Sequence, residues 1–358
     1  MRKAEKMKAT AMKAAVYEGI ERIVVRELPV PEIGEDELLV QIKTCAICGT
    51  DIRTFHHGSH MVTPPLVVGH ELAGVVARVG KRVSGFSEGQ AVTMESSIPC
   101  LSCPACAKGR YNICDALKPI GFHYPGGFAQ YMRVPSQGLV AKCVLPIPPG
   151  LPFEQACLSE PFACAINGQE LTRIEEGDTV VVLGAGPLGC MHTELARING
   201  AGRVVLCDRL PERLALVRKD IQADRFVDLS REDLKEVVFG LTRGRGADVV
   251  IVAAPSAEAQ AAAIEVAAPR GRVNLFGGLP RTNPVASLNA NLIHYRELFV
   301  NGSFGSTARQ QARALELFAS GRIPVGRFVS ARFPLERILD GFAASESKTG
   351  YRTVITMD

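Results

Sequence analysis

Residues 40–44 (VQIKT) alternate apolar with polar side chains, the spacing of a strand that buries one face. Runs of β-branched residues at 66–70 and 74–77, bounded by Pro and Gly, predict further strands, so the first 150 residues read as mostly β. A Pro- and Gly-rich bridge at 146–152 ends this pattern. Beyond it come short apolar runs at 179–183, 204–207, 225–227, 249–252, 273–276 and 299–301, all but the shortest separated by helix-length segments. Such alternation predicts βαβ units, hence an α/β fold with a doubly wound parallel sheet. The runs 180–183 and 249–252 are apolar without interruption, which suits strands covered on both faces.

A third pattern begins near residue 305. Ala308, Ala312, Leu315 and Phe318 recur at helical spacing and stop before Gly321. A second helix is expected from Pro334, as a first-turn proline, through Leu335, Ile338, Leu339 and Phe342. A closing strand at 352–356 has no evident partner in the parallel-sheet half and is expected to return to the β-rich half. The 358 residues are therefore read as two domains, with 1–161 and 306–358 forming the β-rich one and 162–305 the inserted one.

With 47% hydrophobic and 22% charged residues the chain can bury a core, and no apolar run approaches the 18 or so residues of a membrane span. The net charge of +4 resides at the start, where Arg2, Lys3, Lys6, Lys8 and Lys13 face only Glu5. The remainder is neutral, which argues against a nucleic-acid partner, and the basic start reads as a solvated tail lacking the features of a signal or transit peptide. Eleven cysteines without an export signal point to a reducing, cytoplasmic setting and to metal or packing roles.

Four of those cysteines, Cys100, Cys103, Cys106 and Cys114, fall within 15 residues. Four thiolates and no open position make a closed structural zinc site. An iron–sulfur cluster is the competing reading, disfavoured by the lack of Pro after the last Cys. Gly184, Gly186 and Gly189, with Pro187 and Leu188 between them, follow the run 179–183 and open a helix. In that setting the glycines permit a tight turn and close approach to a pyrophosphate. Asp208 ends the next strand 19 residues past Gly189, where a carboxylate accepts from an adenosine ribose and repels a 2′-phosphate, favouring NAD over NADP. Arg209 and Arg213 nearby keep NADP open.

Cys48, His70, Glu71 and Glu160 offer a thiolate, an imidazole and two carboxylates, a donor set suited to a zinc with an open position. Read singly, a lone Cys is more often core packing and a lone Glu more often a solvated face than a functional group. Taken in order, Cys48-Gly-Thr-Asp51, Gly69-His-Glu71, the four-cysteine lobe, Glu160-Pro161 and the glycine turn resemble the zinc-dependent medium-chain alcohol dehydrogenases, in the branch of sorbitol and other polyol, threonine and galactitol-phosphate dehydrogenases. The resemblance runs from Met12 to Ile355. It implies a GroES-like catalytic domain and a Rossmann domain, and two zincs per chain. Cys48, His70 and Glu71 would hold the catalytic zinc with Glu160 as a further or water-bridged ligand. Thr50 would start proton transfer from the alcohol and Asp51 would stand behind the ligands. Asp208 and Arg213 would handle the adenosine ribose, and Gly277 would border the nicotinamide.

One position departs from the family pattern. Arg53 stands where these enzymes often carry the histidine that ends a proton relay, and Arg cannot shuttle protons. His56 or His57 is the expected substitute, with direct exit through water as the alternative; Arg53 itself reads as solvated, cofactor-facing or turned toward an anionic substrate. His123, His294, Glu194, Asp233 and Lys235 read as ordinary surface residues, and Cys45, Cys143, Cys157, Cys164, Cys190 and Cys207 as packing. The expected activity is NAD-linked oxidation of a polyol, sugar alcohol or related secondary alcohol, with an amino alcohol such as threonine as the second reading and a non-catalytic nucleotide-binding relative as the third. A small-molecule substrate, no membrane partner and a homodimer or homotetramer complete the expectation.

Overall fold

A computed structural model describes residues 10–357, so most of the basic start lies outside the described residues. The chain folds as two compact units, one running to Glu160 and resuming at Ser306, the other spanning Pro161–Gly305.

The first unit is built on two sheets. Strands β1 (Ala11–Gly19), β2 (Arg22–Pro29) and β4 (Leu66–Val67) form a small antiparallel sheet in the order β2-β1-β4. Around β3 (Leu38–Ala46) a seven-stranded sheet assembles from β5 (Glu71–Val79), β6 (Ala91–Met94), β7 (Tyr131–Val134), β8 (Val144–Pro146), β15 (Val329–Pro334) and β16 (Arg352–Thr356). Its core packs Leu38, Ile42, Cys45, Ile47, Phe128 and Phe342, all essentially solvent-free.

In the second unit six parallel strands, β9 (Thr179–Leu183), β10 (Arg203–Asp208), β11 (Arg225–Asp228), β12 (Ala247–Val252), β13 (Ala267–Leu275) and β14 (Phe299–Gly302), lie in the order β11-β10-β9-β12-β13-β14. The order reverses beside β9, the switch point at which doubly wound sheets bind ligands. Val181, Val205, Val250 and Val273 are fully buried, as uninterrupted apolar strands require.

The closing strand β16 pairs antiparallel with β3, as expected, and its outer neighbour β15 is a parallel strand that no sequence pattern announced. Pro334 is a correction. It ends β15 instead of opening a helix; a 3-10 turn, Leu335–Arg337, follows, and the helix proper is Ile338–Glu346. Proline fits both places, because its fixed φ suits an extended strand end as well as a first turn. Asp233 is also more than a surface charge: its Oδ1 accepts from Glu236 N at 2.9 Å, capping the helix Leu234–Leu241. His123 and His294 are exposed. Among the described residues no helix is long and apolar enough to cross a membrane.

Candidate active site and metal centres

Strands β3 and β5 pair antiparallel with Ala46 opposite Glu71. That register brings Cys48, two residues past the end of β3, beside His70 and Glu71 at the start of β5. Gly69 makes the entry possible: its φ is +94°, and a Cβ there would fall 2.8 Å from the Phe128 ring and 3.0 Å from Cys45 Sγ. Cys48 caps the helix Gly49–His57; its N–H donates to Asp51 Oδ2 at 2.9 Å, so the first helical turn fixes Cys48 and Asp51 together. Asp51 Oδ1 in turn lies 3.4 Å from His70 Nδ1, and the Phe122 ring sits 5.1 Å from the imidazole.

Ligand atoms of Cys48, His70 and Glu71 all lie within 4.8 Å of one another. Glu160, which follows Ser159 at the start of a helix (Ser159–Thr172), stands outside that triangle but is also buried, at 7% exposure. Glu71 is completely buried; Oε1 is ion-paired to Arg352 on β16, whereas Oε2 has no hydrogen-bond partner. Burial raises the Glu71 carboxyl even though the Arg352 charge opposes it. Burial also pushes Glu160 up to about 8, with His70 opposing it and Glu71 and Glu95 adding to the effect. Although burial works against an imidazolium, the charges of Asp51 and Cys48 hold the His70 pKa well above its usual range. A buried pocket crowded with anionic groups, one of whose carboxylate oxygens is unpartnered, fits a divalent cation.

The four-cysteine lobe meets a sterner geometric test. Cys100 and Cys106 Sγ are 4.0 Å apart and Cys103 and Cys114 Sγ are 3.8 Å apart, with all four sulfurs within 4.8 Å of one another. A tetrahedron with bonds of about 2.3 Å has edges of about 3.8 Å, so the sulfurs already stand near the corners that zinc requires. Backbone N–H groups of Cys100 and Cys106 donate to Cys114 and Cys103 sulfur at 3.2 and 3.4 Å, and Ser102 donates to Cys100, whose thiol drops to about 6. Such donors stabilise thiolates over thiols.

In the second unit the glycine turn joins β9 to the helix Pro187–Ile198. Gly184 has φ +107°, a Cβ on Gly189 would fall 1.7 Å from Gly184 O, and a Cβ on Gly186 would meet nothing within 4 Å. The turn is thus closed on its inner side and open at Gly186, a cradle for a phosphate above a helix N-terminus. Asp208 ends β10 and accepts from Ala185 N at 2.7 Å and Leu210 N at 3.0 Å, which fixes the carboxylate beside the turn. Arg213 is buried, and its Nε donates to Ala185 O at 2.9 Å, bracing the same turn. Gly277 follows β13, and a Cβ there would fall 2.5 Å from Ala254 O.

Arg352, Glu95 and Phe122 are site residues that sequence reasoning missed. Glu95 is 1% exposed and accepts from Ser306 Oγ at 2.5 Å and Ser97 N at 3.1 Å. An arginine at the head of a short strand that is otherwise apolar or β-branched was the one legible signal, since an unpaired buried charge is too costly to keep. Nor is either expected relay histidine in contact with Thr50. His56 is held between Glu346 on Nε2 and Glu21 at 3.4 Å from Nδ1, His57 is exposed, and Thr50 Oγ1 instead accepts from Arg53 Nη2 at 3.3 Å.

Residues 34–147 match the alcohol dehydrogenase GroES-like domain and residues 187–320 match the zinc-binding dehydrogenase family. The chain is 32% identical to a sorbitol dehydrogenase of Bacillus subtilis over 92% of each chain. It is 31% identical to an L-threonine 3-dehydrogenase of Ruegeria pomeroyi over 92% of this chain and 94% of that one. A zinc-binding dehydrogenase of Sinorhizobium meliloti, solved with NADP bound, superposes with a TM-score of 0.88 at 34% identity, covering 97% of this chain and all of that one. With its Rossmann strand order, GroES-like sheet and clustered ligands already in place, the chain belongs to the zinc-dependent medium-chain alcohol dehydrogenase family, in the branch of the polyol and threonine dehydrogenases.

Proposed function

We propose that this oxidoreductase interconverts a secondary alcohol, foremost a polyol or sugar alcohol, and its ketone, with NAD as the redox partner. The observation that carries the reading is the convergence of the Cys48, His70 and Glu71 ligand atoms within 4.8 Å of one another, with Glu71 Oε2 left unpartnered in a buried pocket. Cys48, His70 and Glu71 would hold a catalytic zinc, with Glu160 as a further or water-bridged ligand, and the four-cysteine lobe would hold a second zinc. When bound, the first zinc supplies the Lewis acidity that makes an alcohol acidic near neutral pH, and the dinucleotide accepts the hydride.

The chain's own groups do the remainder. Thr50 Oγ1, which accepts from Arg53 Nη2, would take the alcohol proton and pass its own to water, since the guanidinium beside it can only donate. Asp51 fixes Cys48 through its backbone N–H and faces His70 Nδ1, which leaves the other ring nitrogen for a ligand role. Arg352 holds one oxygen of Glu71 and so orients the other. Gly186 and the helix behind it would receive the pyrophosphate, and Asp208 would face the adenosine ribose.

Likeness to the threonine dehydrogenase supports an amino alcohol as the second reading. Metal analysis coupled to a panel of sorbitol, xylitol, 2,3-butanediol and L-threonine, followed by NADH absorbance, separates the readings. Two zincs per chain and polyol turnover are expected. A protein that retains no zinc when only the four lobe cysteines are intact, or that turns over none of the panel, contradicts the proposal. Initial rates with NAD and NADP at equal concentration test Asp208 directly; a clear NADP preference, as the NADP-bound relative makes worth checking, would overturn its reading.

A further inference from the structure

Arg53 lies one turn into the helix Gly49–His57, and its guanidinium donates from Nη2 to Thr50 Oγ1 at 3.3 Å. Among the described residues it has no carboxylate within ion-pair distance. The contrast with its neighbour is informative. His56, three residues on, draws both nearby acids, Glu21 and Glu346, and the remaining acid of the helix, Asp51, is buried against Cys48 N and His70. Residues 49–62 carry Arg53, His56, His57 and His60 against Asp51 alone. An exposed guanidinium that touches the hydroxyl assigned to proton transfer, and that lacks an internal counter-ion, is a site waiting for an anion.

We infer that Arg53 is an oxyanion-recognition residue of the active site, and that its ligand is a carboxylate or phosphate carried by the alcohol substrate. The inference rests on the proposed role of Thr50. Guanidinium forks pair with both groups in bidentate fashion, which an ammonium cannot reproduce. With ordinary hydrogen-bond lengths on either side, the reacting oxygen and an anionic oxygen bound at Nη2 are separated by at most about 9 Å. Hydroxy acids and phosphorylated polyols fit that reach, and a neutral polyol leaves the guanidinium to water. The phosphates of the dinucleotide offer the same chemistry and are the rival source.

Matched pairs separate these possibilities: 3-hydroxybutyrate against 2-butanol, and glycerol 3-phosphate against glycerol, assayed with the zinc-loaded wild type, Arg53→Gln and Arg53→Lys. For wild type, kcat/KM is expected to favour the anionic member of at least one pair. Arg53→Gln should lower that anionic-to-neutral ratio by about tenfold to a hundredfold, the usual loss for a charge-assisted hydrogen bond, and Arg53→Lys should restore part of it. A raised KM for NAD with every alcohol and an unchanged ratio would assign the oxyanion to the cofactor and overturn the substrate assignment. An unchanged ratio with an unchanged KM for NAD would overturn oxyanion recognition itself. Wild type that oxidises no alcohol at all would instead defeat the proposed function, a result distinct from these.

Discussion

Replacing Arg352 with Met leaves Glu71 with no counter-charge in a pocket where Glu71 itself has no exposed surface and Arg352 only 6%. Two interactions disappear: the ion pair to Glu71 Oε1 and the bond from Nη1 to Ile47 O at 3.3 Å. Breaking a buried pair from one side costs about 3–5 kcal/mol, because the surviving charge is stranded. Burial already raises the Glu71 carboxyl beside the guanidinium, so the pair stands against a real desolvation cost and the stranded carboxylate would be raised further. A carboxyl whose folded pKa is raised loses stability as pH climbs from its unfolded value through the raised one. The Arg352→Met deficit is therefore largest at pH 8 and shrinks toward the ordinary carboxylate range near about 4.3, where Glu71 is protonated.

Denaturant unfolding of the zinc-free protein at several pH values measures this, and the Glu71→Gln/Arg352→Met double variant should recover most of the loss. For a unit of this size the single change corresponds to a fall in Tm of about 6–20 °C. A deficit under about 1 kcal/mol, one that does not vary with pH, or a double variant no better than the single would refute the reasoning.

Two further outcomes are expected. Cys106→Ser should remove about one equivalent of zinc per chain and destabilise the first unit, since a closed four-ligand site does not tolerate a missing corner; unchanged metal content by elemental analysis would contradict this. Gly189→Ala sets a methyl against Gly184 O at 1.7 Å, so the turn must open and NADH affinity, read by fluorescence titration, should fall at least about tenfold; an unchanged Kd would argue against a dinucleotide at this turn.

Much of the second unit was legible because its central strands β9, β10 and β12 are apolar on both faces and helices fill the gaps between them. Legibility was poorer where one residue type serves two structures. Pro334 fitted a helix start, yet it ends β15, whose alternating pattern is short and half exposed. In the site, Cys48, His70 and Glu71 were named from their donor types and from the resemblance to zinc-dependent dehydrogenases, and their ligand atoms lie together. Arg352 was hidden because its contact depends on β16 pairing with β3, a register no local pattern encodes. Likewise, a histidine near a reactive hydroxyl in sequence need not point toward it: His56 turns to Glu21 and Glu346, and Arg53 takes the contact.

The pairing of β16 with β3 also has a consequence for synthesis. The proposed zinc ligands of the first unit are translated by residue 160, but the guanidinium that neutralises Glu71 belongs to Arg352, 192 residues further along the chain. A nascent chain emerging from the ribosome therefore carries every ligand long before it can hold them in a settled pocket, while the parallel sheet of the second unit is already fully translated. A premature stop even a few codons before Arg352 would leave the ligand set intact in sequence and an uncompensated carboxylate at its centre.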